Sequence, residues 1–114
     1  MTESVLFEFV WLPTFERTSK KLLTEDDLHA IESALCENLV AGVQIRRAGG
    51  FRKLRFALPG GGKSAGARVI YLPDEPCERV YMVLVYAKGA KETLTRGEEN
   101  ELRKLATALM NEEC

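Results

Sequence analysis

Residues 49–72 read GGFRKLRFALPGGGKSAGARVIYL. Within this stretch, ALPGGGKS (57–64) fits the loose spacing of a phosphate loop: a small residue, four of any kind, then Gly-Lys-Ser. That loop cradles phosphate only when a strand precedes it and a helix opens at the Lys-Ser, so that backbone N–H groups and the helix N-terminus face the anion. Here Gly-Lys-Ser runs into Ala-Gly-Ala-Arg-Val-Ile-Tyr-Leu. Glycine and a β-branched run do not start a helix. The segment before the loop, FRKLRFAL, alternates with period two, placing Leu54, Phe56 and Leu58 on one face and Lys53 and Arg55 on the other. The stretch therefore predicts two adjacent strands joined by a glycine-rich loop, and no NTP site.

Working outward, SVLFEFVWL (4–12) predicts a strand stopped by Pro13, with Trp11 in the core. TFERTSKKLL predicts a short helix capped by Thr14. Thr24 caps a second helix whose stripe is Leu28, Ile31, Leu35 and Leu39, with Asp26 and Asp27 at its positive end and Gly42 ending it. Ala48–Gly50 is a turn. ARVIYLP is the third strand, and RVYMVLVYAK the fourth and central one, apolar on both faces. Thr95 and Glu98 form a capping box ahead of a last helix with Leu102, Leu105 and Leu109 on its stripe. The expectation is one α+β domain over residues 1–114, with a small, mainly antiparallel four-stranded sheet in the order β-α-α-β-β-β-α and helices packed on it.

Composition narrows the function. The N-terminus has acidic residues and no basic start, unlike a signal peptide, and no apolar run approaches the ~20 residues of a membrane span. Cys36, Cys77 and Cys114 lack zinc-site spacing, which predicts no metal or other cofactor; their odd count and scatter predict free thiols in a reducing cytoplasm. His29, the one histidine, sits among acidic residues in the second helix, a surface position. Net charge is −1, yet residues 41–72 hold Arg46, Arg47, Arg52, Lys53, Arg55, Lys63 and Arg68 with no acid, leaving nine basic against seventeen acidic residues elsewhere. A polyanion is the natural partner of such a block, although a basic loop balanced by acidic helices fits the composition equally well.

Gly49–Arg55, the Gly60–Gly66 loop, Arg68–Tyr71 and Tyr86–Lys88 together resemble the RelE superfamily of toxins from bacterial toxin–antitoxin pairs, most closely its HigB-type branch. That branch carries a Gly-Gly-hydrophobic-Arg-Lys-hydrophobic-Arg strand, a Gly/Lys-rich loop, an Arg-hydrophobic-Ile-Tyr strand and a strand ending Tyr-(Gly or Ala)-Lys. The resemblance runs from Val5 to Leu109. It implies a cytoplasmic, metal-independent endoribonuclease that cuts mRNA on the 70S ribosome by attack of the 2′-OH on the scissile phosphate. It also implies an antitoxin partner, expected to carry a DNA-binding helix-turn-helix. Matched residue by residue, it implies catalytic roles for Lys53, Arg55, Arg68 and Lys88, and places Tyr86 at the end of the same strand, where its ring suits base stacking. Arg46, Arg47, Arg52, Lys63 and Lys91 complete the expected substrate surface. Arginine and lysine suit a dianionic transition state, and crowding by like charge lowers a lysine's pKa toward that of a base. Read without the resemblance, Lys53 and Arg55 are equally ordinary solvent-face residues, Arg68 is a candidate partner for a helix glutamate, and Tyr86 is a candidate core residue. The sequence departs from its relatives after Lys88: Gly89-Ala90 precede Lys91 and Glu92, and no His or Tyr follows to act as general acid. The alternative is a non-catalytic relative of the ParE type or a degenerate family member, acting by binding protein.

Overall fold

The computed structural model describes residues 7–57, 66–89 and 95–114. Its elements are β1 (Glu8–Trp11), α1 (Pro13–Ser19), α2 (Glu25–Glu37), β2 (Val43–Gln44), β3 (Arg52–Phe56), β4 (Ala67–Asp74), β5 (Arg79–Ala87) and α3 (Arg96–Met110). The sheet has five strands in the order β1-β5-β4-β3-β2. β1 lies parallel to β5 and every other pairing is antiparallel. The α+β class stands, but the expected four strands become five. β2 is only two residues long and both are exposed, so it carries no burial pattern for a sequence reading to detect. β5 is an interior strand as expected, while the middle of the five is β4.

Each helix start has a local cause. α1 opens at Pro13 with Leu12, not Thr14, at its cap, because proline lacks the N–H that a first helical residue leaves unbonded and presets its φ. α2 opens on a capping box: Thr24 Oγ1 accepts from Asp27 N at 3.1 Å and Asp27 Oδ2 from Thr24 N at 2.9 Å. It ends at Asn38, ahead of the expected Gly42. Leu39 is buried all the same, and Gly42 serves a different purpose: a Cβ there would lie 2.9 Å from the Lys53 carbonyl. The Thr95–Glu98 box opens α3 as the sequence predicts.

Two cores flank the sheet. On one face Phe15, Ile31, Leu35 and Leu39 from α1, α2 and the segment after α2 meet Val69, Tyr71, Val80, Met82 and Val85, with Trp11 packed beside them. On the other face Leu102 and Ala106 of α3 meet Phe51, Ile70, Leu72, Tyr81 and Val83. The turn before β3 tucks under α3 at Gly49, whose φ of +74° and 2.8 Å clearance from its would-be Cβ to Ala106 both require glycine. α1 also covers an exposed edge: β1 pairs with β5 only as far as Met82, and further along Val85 N donates to Thr18 Oγ1 at 3.1 Å.

Cysteine usage is the second correction. Cys77, in the β4–β5 turn, and Cys114, beyond α3, form a disulfide, and Cys36 alone is free. Their separation of 37 residues hides the pairing in sequence; α3 runs back along the sheet and returns the chain to that turn.

Candidate nucleic-acid interface

The strand register decides which cations meet. Partners directly opposite in an antiparallel ladder share a face. Arg55 opposes Arg68, and Arg68 opposes Tyr86, giving one row across three strands. The neighbouring row is Lys53, Ile70 and Leu84. Lys53 and Arg55 thus stand on one face, two residues and about 7 Å apart along β3.

Tyr86 reaches that row only because β5 is irregular. Ile70 pairs with Leu84 but Tyr71 with Met82, so Val83 is an extra residue in β5. Before this bulge the odd-numbered Tyr81 and Val83 face α3; after it the even-numbered Leu84 and Tyr86 do. One inserted residue re-aims the rest of a strand. Uninterrupted alternation from Tyr81 would have sent Tyr86 and Lys88 to the α1–α2 face. Lys88 follows, its N–H donating to the Gly66 carbonyl at 2.9 Å.

Arg55, Phe56, Ala57, Gly66, Arg68 and Lys88 line an open hollow of about 300 Å³. Arg55 and Lys88 are exposed and Arg68 is half-buried. The nearest acceptor to Arg68 Nη1 is the Ala67 carbonyl, at a long 3.5 Å. Among the described residues no carboxylate lies within ion-pair distance of Lys53, Arg55, Arg68 or Lys88; the ion pairs there are Arg79 with Glu8 and Lys104 with Glu101. Among the described residues, then, no carboxylate competes with an outside anion for these cations. Phe56, Ala57 and Gly66 were not singled out from sequence; they are backbone and wall, with no chemical signature of their own.

Other expected contacts lie elsewhere. Arg52 is on the opposite face, with Nη1 donating to the Gly42 carbonyl at 2.7 Å beside Tyr71. Tyr71 Oη in turn donates to the Leu39 carbonyl at 2.7 Å and accepts from Gly42 N at 3.0 Å. Burial raises the Tyr71 pKa, against the Gly42 hydrogen bond and the nearby Arg52 charge, which both lower it. Arg46 and Arg47 are exposed in the turn before β3, at the end of that strand away from Arg55. Lys63 and Lys91 lie outside the described residues, as does most of the glycine-rich loop. Beyond the loop, Gly66 leads into strand β4, so the chain does not enter a helix there.

Beside the cationic row is an apolar groove of about 510 Å³, formed where the first turns of α3 lean over Ile70 and Leu84. Glu98, Glu101 and Leu102 form its helical wall.

The fold has solved counterparts. A double arginine-to-alanine mutant of E. coli toxin RelE in the free state superimposes with a TM-score of 0.59 at 16% identity, covering 84% of this chain and 96% of that one. The toxin–antitoxin complex RelBE2 from Mycobacterium tuberculosis matches with a TM-score of 0.53 at 19% identity, covering 76% and 97%. No helix among the described residues is long and apolar enough to cross a membrane. The family model described as the RelE toxin of the RelE/RelB toxin–antitoxin system matches residues 10–113, and the chain accordingly belongs to the RelE toxin family.

Proposed function

We propose that this toxin is a ribosome-dependent mRNA endoribonuclease acting in the bacterial cytoplasm, and that its cationic row is the active site. The observation that carries the reading is the Arg55–Arg68 pair with Lys88 beside it, in a hollow where no carboxylate of the described residues neutralises them. A structural cluster would be paired; cations held together on adjacent strands with no carboxylate partner among the described residues suit a phosphate.

RNA supplies its own nucleophile, the 2′-OH next to the scissile phosphate. Arg68, half-buried and held on the middle strand, donates to the non-bridging oxygens as they gain charge. Arg55 faces it and shares that work. Lys53, one row along, takes the 2′-OH proton. Lys88, at the end of β5, holds the RNA backbone near the 5′-oxygen, which departs with a proton from water as the 2′-oxygen closes a cyclic phosphate. Tyr86 extends the row and offers a ring face to a base. The Gly49–Arg55 and Tyr86–Lys88 motifs support placement in the HigB-type branch, and with it an antitoxin partner that carries a helix-turn-helix.

Cleavage of an mRNA on programmed ribosomes tests the reading. The wild-type chain is expected to cut only translated message, and Arg68→Ala to lose about 10²–10³ in rate, the usual worth of one preorganised donor. Intact mRNA with wild-type protein present, alongside arrested growth, would instead favour a toxin that acts by binding protein.

A further inference from the structure

We propose that Cys77 and Cys114 form a reversible thiol–disulfide latch that fixes α3 on the sheet in oxidising conditions and releases it in reducing ones. α3 is thinly held. Of its 15 residues only Leu102 and Ala106 are buried, with Leu105 and Leu109 partly so. The 7-residue α1 buries Phe15 and Ser19 and bonds β5 through Thr18. The disulfide is the one covalent tie between the end of α3 and the sheet, since Cys77 sits in the β4–β5 turn and Cys114 beyond the helix. The two Cα atoms are 5.3 Å apart, inside the range a disulfide spans without moving backbone.

Access makes the link exchangeable. Cys114 is exposed and Cys77 is half-buried, so a small thiol or disulfide can reach the pair. With a low-molecular-weight disulfide as oxidant, the Cys114 thiolate attacks one of its sulfurs and expels a thiolate. The Cys77 thiolate then attacks the Cys114 sulfur of the mixed disulfide and expels the second. Two protein thiols become one disulfide, and the two electrons and two protons leave on two small thiols. A small thiol in excess reverses each step. The cytoplasmic setting rests on the function proposed above; there such a bond forms as an event and not as a permanent staple.

Release changes a specific surface. α3 covers Ile70, Leu72, Tyr81 and Val83, and its first turns wall the groove beside the cationic row. A loosened α3 opens that face while β4 and β5 keep their core on the α1–α2 side.

Hydrogen exchange and thiol counting on the full chain, equilibrated in glutathione buffers of varied ratio, test the latch without using RNA. Its failure and that of the nuclease reading are therefore distinguishable. Oxidised protein is expected to show one titratable thiol, Cys36, and a Cys77–Cys114 linked peptide; reduced protein should show three. Amides around Leu102–Ala106 should exchange about 30-fold faster or more after reduction, with β4 and β5 unchanged, a factor matching the lower end of what a native disulfide contributes. Cys114→Ser should behave as the reduced form in both buffers, and Cys36→Ser should keep the full response. Three titratable thiols at the most oxidising ratio, a link that excess thiol does not open, or equal α3 exchange in both states would each overturn the latch. So would a loss of protection shared equally by β4 and β5.

Discussion

Arg52 and Arg55 stand three residues apart on the same strand, and they serve opposite ends. Arg52 faces the α1–α2 side, where its guanidinium is bonded to the Gly42 carbonyl and its strand position pairs with the buried Tyr71. Arg55 faces the open side, opposite another arginine, with no carboxylate in reach among the described residues. The α1–α2 face is deeply packed and its polar groups are satisfied within the protein: Tyr71 bonds the backbone at both Leu39 and Gly42, and Thr18 bonds Val85. Among the described residues the α3 face is only partly covered, and the end beyond α3 gathers cations. One face thus supplies the stability that lets the other hold like charges together.

The largest expected effects set the faces against each other. Leu35→Ala, on the packed face, should cost about 2–5 kcal/mol of global stability by urea unfolding, since a fully buried leucine leaves a cavity. Arg68→Ala, on the open face, should change unfolding by less than about 0.5 kcal/mol while removing most cleavage. A large loss of stability in Arg68→Ala would dissolve the contrast and mark that arginine as structural. Next comes Tyr71→Phe, expected to cost about 1–3 kcal/mol because Gly42 N–H and the Leu39 carbonyl are left buried without a partner.

Tyr71 also sharpens the comparison through pH. Its folded-state pKa is raised, chiefly by burial, so the folded protein holds the phenol proton where the unfolded chain has lost it. Its contribution is fully present below the unfolded value near 10 and falls as pH rises beyond it. Unfolding curves at pH 9 and 11 should diverge for the wild type more than for Tyr71→Phe. The smallest effect is on the thinner face: Thr95→Ala removes the α3 cap and should cost about 1 kcal/mol, read as faster amide exchange in the first turn of α3 with β4 unaffected.

Much of this was legible along the chain wherever the cause is local. The Thr95–Glu98 box, the two-residue alternation that sets Lys53 and Arg55 on one face, and the apolar run of β5 each show in a few neighbouring residues. The β-branched run after the phosphate-loop spelling of residues 57–64 is legible for the same reason, and it forms β4. Elements with no local pattern were missed. β2 pairs through two exposed residues, and the Cys77–Cys114 bond joins positions 37 residues apart.

Sequence by itself determined the helices and every strand but β2, the cationic block and the family motifs, because propensity, capping and alternation act between residues a few positions apart. Tertiary structure decided which cations meet. The extra residue at Val83 changes the parity of β5 only in relation to its partner β4, and that shift carries Tyr86 to the face of Arg68 and brings Lys88 into the hollow. Alternation along β3 already puts Arg52 on the opposite face; the fold adds its hydrogen bond to Gly42 and leaves Arg46 and Arg47 at the far end of the strand. Register is a property of two strands together, so no single segment encodes it.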